Sequence, residues 1–351
     1  MNNLNTAILN IFPDPVILLN EAREIIFANK SAEDLLSISY AGRDLALSFR
    51  HPAVLTAADE VLAGVAERQA EISLPPPIAR HLLVQIVALE SKEGDTIEPA
   101  GATILLVFQD VTAAKVAEQM RQDFVANVSH ELRSPISSLL GFIETLQGPA
   151  KDDEEAREKF LGIMGAEAAR MARLIDDLLS LSRVETGEHV RPQTSVSVSE
   201  IINMTRELLG ARATEHDMTI EISADDDLPV IPGDQDELME VFQNLMDNAV
   251  KYGESGTTVS VALNRIDRLP DLGGVGVAVS VENQGPGIAP EHLPRLTERF
   301  YRADKGRSRK MGGTGLGLAI VKHIVNRHRG KLVIESERNN KTVFTVYLPS
   351  T

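Results

Sequence analysis

Phe124, Val128, Leu132, Ile136, Leu139 and Ile143 recur at steps of three and four, the spacing of a helix with one apolar face. Phe160, Ile163, Met164, Met171, Leu174, Ile175, Leu178 and Leu181 continue that period after the turn-like run Gln147 to Asp153. The pattern predicts one helix from Ala113 to about Leu146 and a second from about Glu154 to Val184. Pro135 lies inside the first and predicts a kink one turn past His130. Two amphipathic helices joined by a short turn expose too much apolar surface to stand alone, and a homodimeric four-helix bundle would cover it. A bundle serving only for dimerisation would show the same periodicity.

On either side the period changes. Pro15 to Leu19, Glu24 to Ala28 and Ala102 to Gln109 have strand composition, while Ser31 to Leu36 and Pro52 to Ala66 read as helices. Pro75 to Pro77 and Ser91 to Gly101 read as loops. This order predicts a small α+β domain over residues 1–112, followed by the helical hairpin over 113–185. The polar run 186–194 is a linker, and 195–351 a second α/β unit. There Val275, Val277, Val279 and Val281 alternate with Gly276, Ala278, Ser280 and Glu282 as a half-buried strand. Val259 to Leu263 forms another strand, and Lys331 to Glu335 with Thr342 to Leu348 reads as a terminal hairpin.

Composition narrows the function. The 35 basic against 51 acidic residues give a net charge of −16, which opposes nucleic-acid binding through phosphate neutralisation. The chain has 0 cysteines, which excludes disulfides and thiolate metal sites and suits a cytoplasmic protein. No apolar run approaches the ~18–20 residues of a membrane span, and the first residues lack the basic start of a signal peptide. Any membrane attachment is therefore expected through a partner protein at the inner face.

Candidate chemistry begins at His130. It is two positions from both Val128 and Leu132, about 200° around the helix from that stripe, so its ring faces solvent. Arg133, Ser134, Ser137, Ser138 and Gly141 share the outer face, and Glu131 stands beside the ring. An imidazole next to a carboxylate is a competent nucleophile for a phosphoryl group near pH 7. Three later stretches suggest a nucleotide. In the helix Asp234 to Tyr252, Leu238, Val241, Phe242, Leu245 and Ala249 face inward, while Glu240, Asn244, Asn248, Lys251 and Tyr252 form a polar stripe. Its amide oxygens suit Mg²⁺ and its lysine a phosphate. In Glu282 to Ile288, Gly285 and Gly287 permit a sharp turn and close approach to a flat ring. Gly312 to Leu318 (GGTGLGL) opens a helix as an anion cradle but is neither a Walker loop nor a dinucleotide fingerprint. Arg302, Lys305, Arg307, Arg309 and Lys310 precede it as a cationic lid. His51 and His81 could in principle ligate haem but read better as structural or surface residues.

Together these stretches resemble the bacterial sensor histidine kinases of the HisKA and HATPase_c type, closest to the PhoR-like phosphate-regulon sensor kinases. The residues carrying the resemblance are Ser129 to Ile136 (SHELRSPI), Pro294 to Arg302 (PRLTERFYR), the paired asparagines, the glycine runs and a PAS-like start closing on Val107 to Thr112. The resemblance implies a PAS-like sensor domain, a dimeric histidine-phosphotransfer hairpin and a GHKL-type α/β-sandwich that binds ATP. It implies that His130 accepts the γ-phosphate, with Glu131 as acid/base neighbour, and passes it to an aspartate on a separate response regulator in phosphate-responsive signalling. Asn244 would hold Mg²⁺, and Asn248, Lys251 and Tyr252 would line the nucleotide. Gly285 and Gly287 would shape the adenine pocket. Phe300, Arg302 and Lys310 would belong to the lid, with Gly313, Gly315 and Gly317 closing over the phosphates.

Two positions depart from the family. Asn283 stands where an aspartate accepts a hydrogen bond from the adenine amino group, a change that could weaken binding by ~1–3 kcal/mol. Ser134 replaces the threonine or asparagine linked to dephosphorylating the regulator. Three alternatives stay open: an ATP-inactive scaffold of the same fold, a regulator phosphatase, and an ATPase driving conformational work. The exposed histidine opposes the last, since such an ATPase needs no phosphoacceptor.

Overall fold

The computed structural model describes residues 4–36, 42–75, 79–89, 102–304 and 313–350. Lys305, Arg307, Arg309, Lys310 and Gly312 lie outside the described residues, as does most of the two expected loops. Two compact units are present, Met1–Ala126 and Asn127–Thr351.

The first unit runs through helix α1 (Leu4–Ile11), strands β1 (Val16–Leu19) and β2 (Ile25–Ala28), and helices α2 (Lys30–Leu36), α3 (Leu45–Ser48) and α4 (Pro52–Leu62). Strands β3 (Glu67–Ser73), β4 (His81–Ala88) and β5 (Ile104–Asp110) complete an antiparallel sheet in the order β2-β1-β5-β4-β3. All four residues of β1 are buried because both faces of that strand are covered. Ile17 and Leu19 join the main core with Val54, Ala58 and Val61 of α4, whereas Leu18 packs with Phe27 and with Leu9 of α1. Fully buried Asn29 ties these pieces together. Its Oδ1 accepts from the Val16 and Ala32 N–H groups, both at 2.9 Å, and its Nδ2 donates to the Asp14 carbonyl at 2.9 Å. Helix α4 ends earlier than its apolar pattern suggests, because Gly64 at φ 106° turns the chain out of the helix. His81 is exposed, with Nδ1 2.9 Å from Ser73 Oγ, and the His51 ring stacks on Phe49.

Helix α5 (Thr112–Gln147) starts in the first unit and continues unbroken through Pro135 into the second, where α6 (Glu154–Gly187) returns. Asp153 caps α6 by accepting from the Ala156 N–H at 2.9 Å, and Phe142 stacks on Phe160 beside the turn. The hairpin buries its apolar stripe only in part. Pro135 is the buried residue of α5, whereas Ile136 is 44% exposed, Leu140 55% and Leu179 54%.

The remainder of the second unit is two-layered. Strands β6 (Ser195–Val196) and β8 (Ile231–Pro232) make a short ribbon. Strands β7 (Thr219–Ala224), β9 (Thr258–Ile266), β10 (Gly276–Gln284), β11 (Lys331–Ser336) and β12 (Lys341–Pro349) form a sheet in the order β11-β12-β10-β9-β7. Its pairs are antiparallel except β7 with β9. Register sets Val279 between Leu263 and Val346, and Val281 between Val261 and Phe344, so one face of three strands is continuously apolar. Helices α7 (Val198–Glu215), α8 (Gln235–Tyr252) and α9 (Gly317–Arg327) bury their apolar stripes with it. The five inward residues expected on α8 are all buried, as are Ile320, Val321, Ile324 and Val325 of α9. Helix α7 buries Val198, Ile201, Ile202, Thr205, Leu209 and Ala213 on one face.

His328, 1% exposed, joins the end of α9 to the start of α8. Its Nδ1–H donates to the Ile324 carbonyl at 2.8 Å, and its Nε2 accepts the Asp234 N–H at 3.0 Å. Burial lowers its pKa from the ordinary 6.5, because a charged ring would lose solvation and the Asp234 bond. The folded state therefore binds fewer protons than the unfolded one, and stability is lost as pH falls below 6.5 toward the depressed folded value. Thermal unfolding at stepped pH should show this decline, and His328→Phe should flatten it while lowering the midpoint at neutral pH.

Candidate functional site

Three elements bring the expected nucleotide residues together around a cavity of about 820 Å³. Asp234 caps α8 by accepting from the N–H groups of Asp236 and Glu237, which fixes where the polar stripe of that helix begins. One and a half turns on, Glu240, Asn244, Asn248, Lys251 and Tyr252 form one wall. Asn283 of β10 and Gly287 form another, and Arg302, Gly313, Gly315 and Gly317 a third.

The glycines allow these walls to meet. A Cβ on Gly317 would strike Asn244 Oδ1, and one on Gly315 (φ 77°) would lie 2.9 Å from Phe300 Cα. Gly287 (φ 67°) could not carry a Cβ without striking the Glu337 carbonyl. Gly285 and Phe300 stand behind the walls. The first would bring a Cβ within 2.8 Å of the Tyr252 carbonyl, and the second donates its N–H to the Gly315 carbonyl at 2.8 Å. Asn244 spends its Nδ2 on the Glu240 carbonyl at 3.0 Å, which leaves Oδ1 turned toward the start of α9. Asn283 is 5% exposed and its Nδ2 donates to the Gln284 carbonyl. Lys251 is paired, with Nζ 2.5 Å from Asp247, and Asp247 also meets Arg212 at 2.5 Å.

His130 and Ser134 lie exposed on α5, one turn apart and outside the cavity lining. Glu131, next to His130 on α5, accepts through one oxygen, Oε2, from Arg170 of α6 at 2.8 Å and from Arg302 at 3.3 Å. The cavity also has a wall that the motifs do not announce: Arg173, Asp176 and Asp177 of α6. Thr314, inside the glycine run, donates its hydroxyl to Asp177 at 2.6 Å. Ser180 donates to both oxygens of Glu240, at 2.7 and 2.8 Å. Burial raises the pKa of Asp177 and of Glu240, against the opposing pull of these hydroxyl bonds. Of these residues, Asp247 had a sequence signal as the acidic partner four residues before Lys251, and Thr314 sits within the cradle. The α6 carboxylates had none, since on the sequence they read as a solvated helix face.

Known proteins match this arrangement segment by segment. Residues 233–351 match the family described as histidine kinase-, DNA gyrase B- and HSP90-like ATPase. Residues 120–187 match the His Kinase A (phospho-acceptor) domain, and residues 3–68 a PAS domain. The phosphate regulon sensor protein PhoR of Pseudomonas aeruginosa is 33% identical over 341 residues, covering 95% of this chain and 71% of that protein. The chain belongs to the sensor histidine kinases. It is thus a protein-histidine kinase of the two-component type, with an ATP-using domain of the GHKL class. Sensor histidine kinase WalK of Bacillus subtilis is 30% identical over 98% of the chain, and SenX3 of Mycobacterium tuberculosis 37% over 66%. The chain spans 54% and 55% of those two proteins. In fold it is similar to histidine kinase ThkA, solved in complex with response regulator protein TrrA, with a TM-score of 0.51, 21% identity and coverage of 99% of this kinase and 98% of ThkA.

The α6 carboxylates give the cavity an acidic side, and a nucleotide phosphate near Asp177 would be repelled while that group is ionised. Because burial raises the Asp177 pKa, acidification neutralises it and should tighten nucleotide binding. Titration calorimetry with ADP should show Asp177→Asn binding about three- to tenfold tighter near neutral pH, with a flatter pH dependence than the parent.

Proposed function

We propose that this kinase transfers the γ-phosphate of ATP to His130 and then to an aspartate on a separate response regulator, in phosphate-responsive signalling. The division of labour follows the domain boundaries read from the sequence: a PAS-like sensor over 1–112, the phosphotransfer hairpin over 113–185, a linker over 186–194 and the ATP-binding domain over 195–351. A ring nitrogen of His130 attacks the γ-phosphorus, the bond to the β-phosphate oxygen breaks, ADP leaves, and the ring proton passes to Glu131. Positioning and charge neutralisation supply most of the acceleration.

Asn248, Lys251 and Tyr252 would bind the nucleotide, and Gly285 and Gly287 would admit the adenine. Gly313, Gly315 and Gly317 would receive the phosphates at the start of α9, and Phe300, Arg302 and Lys310 would belong to the lid. The free carbonyl end of Asn244 is a hard oxygen donor and fits Mg²⁺, which when bound would offset phosphate charge. Asn283 can use Oδ1 to accept from the adenine amino group, since its Nδ2 is engaged by Gln284.

A second copy would cover the exposed apolar side chains of α5 and α6, which favours a homodimer. Among the described residues no helix is long and apolar enough to cross a membrane. We place this chain in the cytoplasm, recruited to the inner face of the membrane by a partner protein. A strain lacking it with an unaltered phosphate-starvation response would remove the phosphate assignment.

The observation that carries the transfer reaction is the convergence of the paired asparagines and the glycine cradle on one cavity in a chain that also exposes His130. Incubation with γ-labelled ATP and Mg²⁺ should give acid-labile label on the parent and none on His130→Ala. Asn283→Asp should bind a non-hydrolysable ATP analogue about tenfold tighter, as expected when a charged acceptor replaces a neutral one. Absent label together with absent analogue binding would favour the scaffold reading instead.

A further inference from the structure

The pairing of Glu131 has a purpose that the phosphoacceptor motif leaves unassigned. Successive side chains on a helix diverge by about 100°, so a carboxylate next in sequence to His130 does not face the same way as the ring. It can serve the ring only if something fixes its torsions. Arg170 of α6, with a side chain 12% exposed, does this from across the hairpin. Its Nη2 donates to Glu131 Oε2 at 2.8 Å, and its Nη1 is anchored one turn back on the same helix by Glu167 Oε1 at 3.0 Å. Arg302 reaches the same Oε2 from the cavity wall at the longer distance of 3.3 Å. Its side chain is 6% exposed, and its buried Nε has no hydrogen-bond partner. One guanidinium is therefore doubly anchored within the hairpin, and the other is held by one long contact while bordering the ATP-binding cavity.

We infer that Arg170 is the positioning residue for Glu131, and that Arg302 exchanges between Glu131 and the nucleotide phosphates. This rests on the assignment of His130 as phosphoacceptor. Without nucleotide, two cations hold one carboxylate oxygen. A triphosphate in the cavity offers Arg302 a stronger, multiply charged acceptor and draws it away. Arg170 then keeps Oε2 of Glu131 on the hairpin, relieved of one partner, and leaves Oε1 to take the ring proton. Nucleotide occupancy is thereby coupled to the base beside His130, and the coupling is reciprocal in binding free energy.

The test uses the full chain, with single-turnover labelling of His130 at saturating ATP and binding of a non-hydrolysable ATP analogue. Arg170→Gln should slow labelling about tenfold or more and leave analogue affinity within about twofold, with Arg170→Lys recovering part of the rate. On a Glu131→Gln background, Arg170→Gln should change the rate less than about twofold, because both changes remove the same function. Glu131→Gln alone should tighten analogue binding about threefold or more, since Arg302 is no longer held back. Equal losses with and without Glu131, or a parallel fall in analogue affinity, would overturn the positioning role. Unchanged analogue affinity in Glu131→Gln would overturn the exchange. An unlabelled parent, or label persisting in His130→Ala, would instead remove the phosphoacceptor assignment and the clamp with it.

Discussion

The approach of α9 to α8 decides whether this kinase has the cavity described above at all. The two helices come together at Gly317, where any larger residue would collide with the Asn244 amide. Their stacking is held from the far end by His328, bonded to both. Between those contacts Ile320, Val321, Ile324 and Val325 pack into the common core, so the start of α9 is fixed by burial as well as by contact. The opening of α9 then borders a space whose other walls include α8 and Asn283 of β10. The chemistry of the site is a consequence of this packing, because no residue in the cradle could hold its place without it.

Charge in the cavity comes from two sources of different character. Asn244, Asn248 and Lys251 belong to the ATP-binding layer, whereas Arg173, Asp176 and Asp177 belong to the helical hairpin. Hydroxyl bonds from Thr314 and Ser180 hold the hairpin carboxylate Asp177 and the α8 carboxylate Glu240 in partly desolvated positions. Ionised carboxylates there oppose a triphosphate, and neutral ones do not. The contact between hairpin and ATP-binding layer is therefore itself sensitive to the ligand that the layer binds.

Much of this was legible in the sequence. The core faces of α8 and β10 follow from helical and alternating periods, and the glycine runs announce close backbone approach. The pattern could not show that the apolar stripe of α5 stays partly open in one chain, because periodicity records which face is apolar and not what covers it. Ile136 illustrates the difference, lying on the stripe yet 44% exposed. Nor could it find Arg170 or Asp177. Each is a charged residue on an amphipathic helix, and only the fold shows that Glu131 lies opposite one and Thr314 opposite the other.

The linker after α6 bears on motion. Although polar and glycine-flanked, it is tied to α9 and its flanks. Glu188 accepts from Asn326 at 3.1 Å and meets His323 at 2.9 Å, while the carbonyls of His189 and Val190 accept from Arg329 and Arg327. At about 1 kcal/mol net for each such bond, residues 188–190 move as cargo of the ATP-binding layer and not as slack rope. Any swing of that layer therefore carries residues 188–190 with it, and must break the grip on α6 exerted through Glu185 with Arg299, Ser180 with Glu240 and Asp177 with Thr314.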